Sequence, residues 1–247
     1  MKCRYLYLIC LCSFIGFSQV KDTITVSTNS TTDKLTIKKM ILPASFITAG
    51  LVLRTPAWRD DMLQFKKKVF GTDFNFRGDD YFQFVPVAQT LLGNSLGFKS
   101  KHGYAQIVTN ELVSNMMMAA IVYGIKNTVK DDRPDDSALN SFPSGHTATA
   151  FNNAMINYLE FKDSNKWYAY SGFLFATATG VLRVANNKHF PGDVAAGAGI
   201  GMATALVVHY WSPFRWDEKQ KNKKLSYIIY PAINNSSYGI GYIANFK

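Results

Sequence analysis

The amino-acid sequence predicts an all-α protein, a bundle of six helices joined by short connections. Six apolar segments recur along the chain, at about 41–53, 80–96, 105–126, 146–161, 167–183 and 193–211. They are too long for strands and rich in Ala, Leu, Met and Val, a length and composition that favour helices. The polar turns between them are short, so successive helices run up and down. A chain of 247 residues suits one domain with a sizeable core and demands no second.

Taken in order, the first element is an export signal spanning residues 1–19. Lys2 and Arg4 form a short positive region, Tyr5 to Phe17 an apolar stretch, and Gly16, Ser18 and Gln19 a cleavage zone of small and polar residues. The apolar stretch is shorter than the roughly 20 residues that span a bilayer, which favours a cleaved signal over an anchor. The protein is therefore expected in the periplasm or cell envelope. Cys3, Cys10 and Cys12 all lie in this segment, so the mature chain has no thiol and no disulfide framework. Residues 20–38, rich in Ser, Thr, Asn and Lys, read as a polar tether.

The helical domain is expected over 39–216. Its third helix carries Asn110, Glu111, Ser114 and Asn115, and its fourth Asn152, Asn153 and Asn157, polar residues that a lipid-facing span avoids. The sixth is the strongest transmembrane candidate, because only His209 interrupts its apolar and small residues. Residues 217–247 begin with a charged linker and continue as two alternating runs, Leu225 to Tyr230 and Tyr238 to Phe246, around Asn234, Asn235 and Ser236. That pattern predicts a short C-terminal β-hairpin packed on the bundle.

Charge narrows the partners. The formal net charge is +10, from 27 Lys and Arg against 17 Asp and Glu, which suits phosphorylated substrates, anionic lipid headgroups or nucleic acid. No nucleic-acid motif or aromatic-basic repeat is present, so nucleic acid is not an expected partner. Mean hydropathy is -0.05, which leaves both integral and peripheral membrane association open. Nothing in the sequence assigns an oligomeric state.

Three clusters at expected helix ends carry the chemistry. The first is Lys126 followed by Arg133 and Pro134, the second is Pro143, Ser144, Gly145 and His146, and the third is Arg183, His189 and Asp193. An up-and-down bundle puts the end of the third helix, the start of the fourth, the end of the fifth and the start of the sixth on one face, so the clusters are expected to converge. A transferring phosphoryl group spreads negative charge over three oxygens and needs fixed cations and N–H donors. Lys126, Arg133 and Arg183 offer the cations. Ser144 and Gly145 open a helix whose free N–H groups favour an anion, with Gly145 expected to allow close backbone approach. His189 is the candidate nucleophile, Asp193 the carboxylate that orients its ring, and His146 the acid and base.

These residues resemble the type 2 phosphatidic acid phosphatase family, which shares its site with the vanadium-dependent haloperoxidases. The family pattern is Lys, six residues, Arg-Pro; Pro-Ser-Gly-His; then Ser-Arg, five residues, His, three residues, Asp. Every charged position matches, over roughly 105–210, and one position departs, with Leu182 where the family has serine. The resemblance implies the six-helix bundle of that family, a phosphohistidine on His189, His146 as acid and base, and no metal or other cofactor. It also implies hydrolysis of a phosphomonoester or diphosphate, most naturally of a lipid, with a soluble broad-specificity acid phosphatase as the near alternative and a haloperoxidase as the remote one. Asp131, Asp132, Asp135 and Asp136 are expected to form a solvated loop pairing with Lys130 or Arg133 rather than a metal site. Tyr81, Phe82 and Phe84 are expected to pack in the core.

Overall fold

A computed structural model of the chain describes residues 34–71, 74–212 and 216, and the backbone of 225–234 and 237–246. The helices are α1 (Ile37–Leu53), α2 (Pro56–Phe70), α3 (Asp79–Phe82), α4 (Val85–Leu92), α5 (Tyr104–Val129), α6 (Gly145–Phe161), α7 (Lys166–Ala185) and α8 (Pro191–Trp211). The fold is all-α, and the six expected helices are α1, the α3–α4 pair, α5, α6, α7 and α8.

Three differences from the expected elements have local causes. The helix α1 starts at Ile37, inside the expected tether. The helix α2 escapes a search for apolar runs because its sequence, PAWRDDMLQFKKKVF, is mostly polar. Its signals lie at its ends instead: Pro56 in the first turn, Lys67 and Lys68 in the last, and Gly71 beyond it at φ +78°. The segment 80–96 divides because Pro86, in the first turn of α4, cannot donate a hydrogen bond back into a preceding helix.

The core is centred on α6. Its Ala150, Phe151, Ala154, Met155, Ile156 and Leu159 pack against Ala176 of α7 and Ala198, Met202, Ala205 and Leu206 of α8. Glycines let α8 lie close on two sides. A Cβ on Gly197 or Gly201 would collide with the carbonyl oxygens of Ser144 and Ala148, and one on Gly199 with Pro43 and Ile47 of α1. Several polar residues of α5 and α6 face the interior and bond to one another or to α8: Asn152 Nδ2 donates to Ser114 Oγ (2.9 Å), Asn115 Nδ2 to Asn153 Oδ1 (2.7 Å), and Thr204 Oγ1 of α8 to Asn152 Oδ1 (3.1 Å).

The helix α8 is long and apolar enough to cross a membrane, with 67% of its most apolar stretch buried inside the bundle, a property that a core helix shares. Strands β1 (Leu225–Asn234) and β2 (Ser237–Phe246) pair antiparallel with Leu225 opposite Phe246. The fold class rests on the helices alone, and the expected packing of a hairpin on them gains no support. The signal segment, residues 20–33 of the tether and the linker 217–224 lie outside the described residues.

Candidate active site

Four helix ends meet at one end of the bundle, and named hydrogen bonds lace them. At the start of α6, Ser144 N donates to the carbonyl of Asp193 in the first turn of α8 (3.0 Å). Lys126, in the last turn of α5, donates from Nζ to the carbonyl oxygens of Asn140 and Ser141 on the segment entering α6. Lys130 in the left-handed conformation (φ 47°) then closes α5. The α7–α8 connection is tied to the α5–α6 connection by Asn187 Nδ2 donating to Pro134 O (3.1 Å) and by the Lys188–Asp135 ion pair (2.6 Å).

His189 sits in that connection with only 2% of its residue surface exposed. Its Nδ1 lies 3.6 Å from Asp193 Oδ2, longer than a hydrogen bond, and neither Nδ1 nor Asp193 Oδ1 has another partner among the described residues. Burial pushes the imidazole pKa down to about 4; Asp193 opposes this, while Arg183 and Lys126 reinforce it. The ring is therefore neutral at ordinary pH. Asp193 is fully buried and held by Phe190 N (2.9 Å) and by the hydroxyl of Ser141. The backbone contact stabilises the first turn of α8, since a carboxylate three residues into a helix reaches back to the capping N–H.

The three predicted cations affect one another electrostatically. Lys126 is pushed down to about 8, by burial and then by Arg133, with Arg183 adding to it and Asp193 opposing. Arg133 is lowered by burial and by Arg183. Positive groups that disfavour one another's charge form a site that an anion relieves. Arg133 Nε and Arg183 Nε are buried without a partner among the described residues, so each guanidinium has a donor to offer. The start of α6 also lacks a side-chain cap, and Ser144 Oγ turns instead to Thr147 Oγ1 (2.9 Å). A Cβ on Gly145 would meet only Val122, at 3.9 Å, so the glycine leaves open space beside the pocket.

Several residues of the site carried no sequence signal. Arg183 Nη1 donates to Asp79 Oδ2 (2.7 Å), and Asn186 Nδ2 to Asp79 Oδ1 (2.9 Å). His146 Nε2 lies 3.3 Å from Asp80 Oδ1. Burial lowers the pKa of His146 and Arg183 lowers it further, while Asp79 and Asp80 raise it in part. Burial disfavours the Asp80 carboxylate too, but Arg77 and His146 outweigh it and hold its pKa below the usual value. Asp79, Asp80 and His146 could offer three atoms to a metal, yet Asp79 is committed to Arg183 and Asn186, and Asp80 to Arg77 (3.1 Å). Asp79, Asp80 and Ser141 belong to no spaced motif, and only the folded chain brings them to the clusters.

The flanking aspartates pair with cations other than those expected. Asp131 accepts from Arg54 Nε (3.1 Å) and from Arg59, pinning the α1–α2 corner over the loop, and Asp135 pairs with Lys188. For both carboxyls burial opposes ionisation and the basic partners prevail, with Asp135 brought to about 2. Of the aromatic trio, Phe82 packs edge-on between Phe76 and Phe175, whereas Tyr81 and Phe84 are exposed, because the short α3 buries only one side. Leu182, in place of serine, donates nothing to the site; its carbonyl accepts from Asn186 N at the end of α7.

Two cavities open at this end. A polar cleft of about 710 Å³ is lined by Arg77, Asp79, Asp80, Arg133, Arg183 and Lys188 among others. A mostly apolar groove of about 250 Å³ runs from Met118, Ala119, Val122 and Tyr123 to Lys126, Gly145 and His146.

A family model described as the PAP2 superfamily matches residues 108–217. The chain is 31% identical over 153 residues to the lipid A 1-phosphatase of Porphyromonas gingivalis, covering 62% of this chain and 34% of that protein. It is 38% identical over 74 residues to the bacitracin transport permease protein BcrC of Bacillus licheniformis, covering 30% of this chain and 34% of that protein. The chain thus spans about a third of the length of these relatives. Among solved structures, the transmembrane PAP2 type phosphatidylglycerolphosphate phosphatase of Bacillus subtilis shares the fold at a TM-score of 0.52 and 18% identity, covering 74% of this chain and 98% of that one.

Proposed function

We propose, from the match of residues 108–217 to the PAP2 superfamily and from the site, that this chain is a PAP2 lipid phosphatase working through a phosphohistidine without a catalytic metal. The observation that carries the reading is a buried, neutral imidazole, His189, with Asp193 facing Nδ1 and with Lys126 and Arg183 as charged neighbours. Asp193 keeps the proton on Nδ1, so Nε2 holds the lone pair that attacks phosphorus. A contact of 3.6 Å can shorten as the ring becomes cationic.

In the first step the Nε2–P bond forms and the bond from phosphorus to the leaving oxygen breaks, with His146 giving that oxygen a proton. In the second, His146 takes a proton from water, the hydroxide attacks phosphorus, and the N–P bond breaks to release inorganic phosphate. Lys126, Arg133, Arg183 and the N–H of Gly145 offset the charge that builds on the phosphoryl oxygens, the Ser144 N–H being taken by the Asp193 carbonyl.

A lipid phosphomonoester is the substrate class best supported. The Porphyromonas relative is a lipid A 1-phosphatase, and the apolar groove beside His146 offers an acyl or prenyl chain a place to lie. Large apolar side chains also cover the outside of the bundle, among them Leu112, Met116, Tyr123, Leu174 and Trp211. Such a surface suits a membrane interface in the envelope.

The test is phosphate release by the purified protein from a lipid monophosphate and from a small water-soluble ester, for wild type and His189→Ala. The lipid should be preferred by roughly 100-fold in kcat/KM through binding of its apolar chain. His189→Ala should lose about a thousandfold or more in kcat while melting as wild type does. Retention of more than roughly a few per cent of activity would refute the nucleophile assignment, and equal rates on the two substrates would refute the lipid assignment.

A further inference from the structure

At the other end of the bundle, 14 residues along α6 from His146 and so about 20 Å away, lies a second cluster that the phosphatase site does not use. It comprises His102 of the α4–α5 connection, Glu160 in the last turn of α6 and His209 in the last turn of α8. One potential ligand atom from each lies within 4.8 Å of the others. We propose that these residues bind a divalent metal ion of the zinc type, a structural clamp distinct from the catalytic centre.

The donor set is two imidazoles and one carboxylate, which suits zinc and neighbouring divalent ions. The arrangement is built around a single oxygen. Glu160 Oε2 is occupied by His102 N (3.0 Å) and the Glu160 carbonyl by Lys101 N (2.8 Å), so the loop is already fastened and Oε1 is the atom that both rings face. His102 Nδ1 lies 2.8 Å and His209 Nδ1 3.5 Å from Oε1. Ligands about 2.0 Å from a tetrahedral zinc ion lie about 3.3 Å apart, so only a small shift of the part-exposed His102 ring separates the observed positions from a coordination shell.

A purely hydrogen-bonded network explains this arrangement less well. It would saturate both rings, yet His209 Nδ1 is buried and has no hydrogen-bond partner among the described residues, in a side chain only 2% exposed. The two rings stand edge to face at 5.0 Å, directing the nitrogens at the carboxylate rather than at each other. The Glu160 side chain is itself fully buried, and a buried carboxylate facing two imidazoles is a setting in which a cation is stabilised. The outward side of His102, with its side chain 23% exposed, leaves room for water as a fourth ligand. The clamp would join the ends of α6 and α8 to the entry of α5, the same three helices whose opposite ends carry the site.

The test uses full-length protein stripped with chelator and then titrated with Zn2+ or Co2+. Wild type should take up a single equivalent of Zn2+, its Tm should rise with the metal, and Co2+ should give the intense visible absorption of a tetrahedral site. His102→Ala, which removes a ring from a part-exposed loop and leaves the packed helices untouched, should bind at least about tenfold more weakly. No uptake by the stripped wild type, or uptake by His102→Ala equal to wild type, would overturn the proposal. Chelation should lower Tm without changing the initial rate of phosphate release, so loss of the clamp and loss of the phosphatase reading register separately.

Discussion

His189 and His146, the proposed nucleophile and the proposed acid, are two imidazoles at one end of the bundle with different surroundings. The first must be neutral to attack, and burial with the nearby cations brings it to about 4, so it is available above that pH. The second must be protonated to serve as the acid, and burial with Arg183 moves its titration below the ordinary imidazole value. A group that must lose a proton sets the acid limb, and one that must keep it sets the alkaline limb. The profile of kcat/KM should thus rise through about pH 4 and fall on the acid side of the usual imidazole range, with a further loss as Lys126 discharges near 8. Asp80→Asn removes a carboxylate that raises the His146 pKa, so the alkaline limb should move to lower pH with the acid limb unchanged. An unmoved alkaline limb would show that Asp80 does not act on His146. Substituting Ser141 by Ala frees Asp193 Oδ2 of a hydroxyl donor and should lower kcat by roughly tenfold with little effect on KM, a split that steady-state kinetics reads directly.

Helix α8 is the element on which the site most depends. Its first turn holds Asp193, and its glycines allow α6, with Ser144 and His146, to lie against it at backbone contact. Gly201→Ala would drive a methyl group into the Ala148 carbonyl, and because that obstacle is backbone the helices must separate. The expected cost is about 1–3 kcal/mol, read as a lower denaturant midpoint, with activity falling as the Ser144–Asp193 contact lengthens. Gly124→Ala is the matched control: a Cβ there meets nothing within 4 Å, so stability should hold or rise slightly from helix propensity. Equal losses in the two variants would mean that α6–α8 closeness is not what the glycines supply.

At the scale of the molecule, the site sits at one end of a bundle that exposes many large apolar side chains. Vanadate, which adopts the shape of a phosphoryl group under attack, should inhibit at low concentration, and EDTA should leave initial rates unchanged; rates that EDTA abolishes and a divalent ion restores would defeat the metal-free chemistry. Membranes washed with salt and then carbonate test how the bundle meets lipid. Retention through both treatments marks α8 and its neighbours as embedded, release by carbonate a peripheral protein, and release by salt alone would count against a membrane surface as the place of work.

The residues that do the proposed chemistry could be read from the chain because their spacing ties each to a helix end, and an up-and-down bundle has only two ends at which to collect them. Periodicity and composition in the same way determined the all-α class and the long helices. What only the tertiary structure decided are the partners without a spacing rule: Asp79 beneath Arg183, Asp80 beside His146, Ser141 on Asp193, Arg54 and Arg59 on Asp131, and the His102, Glu160 and His209 cluster. Each joins residues about 50 or more positions apart through side-chain contacts. Such a contact depends on the distance and angle between packed helices, which arise from the whole core and leave no periodic trace in the segments they connect.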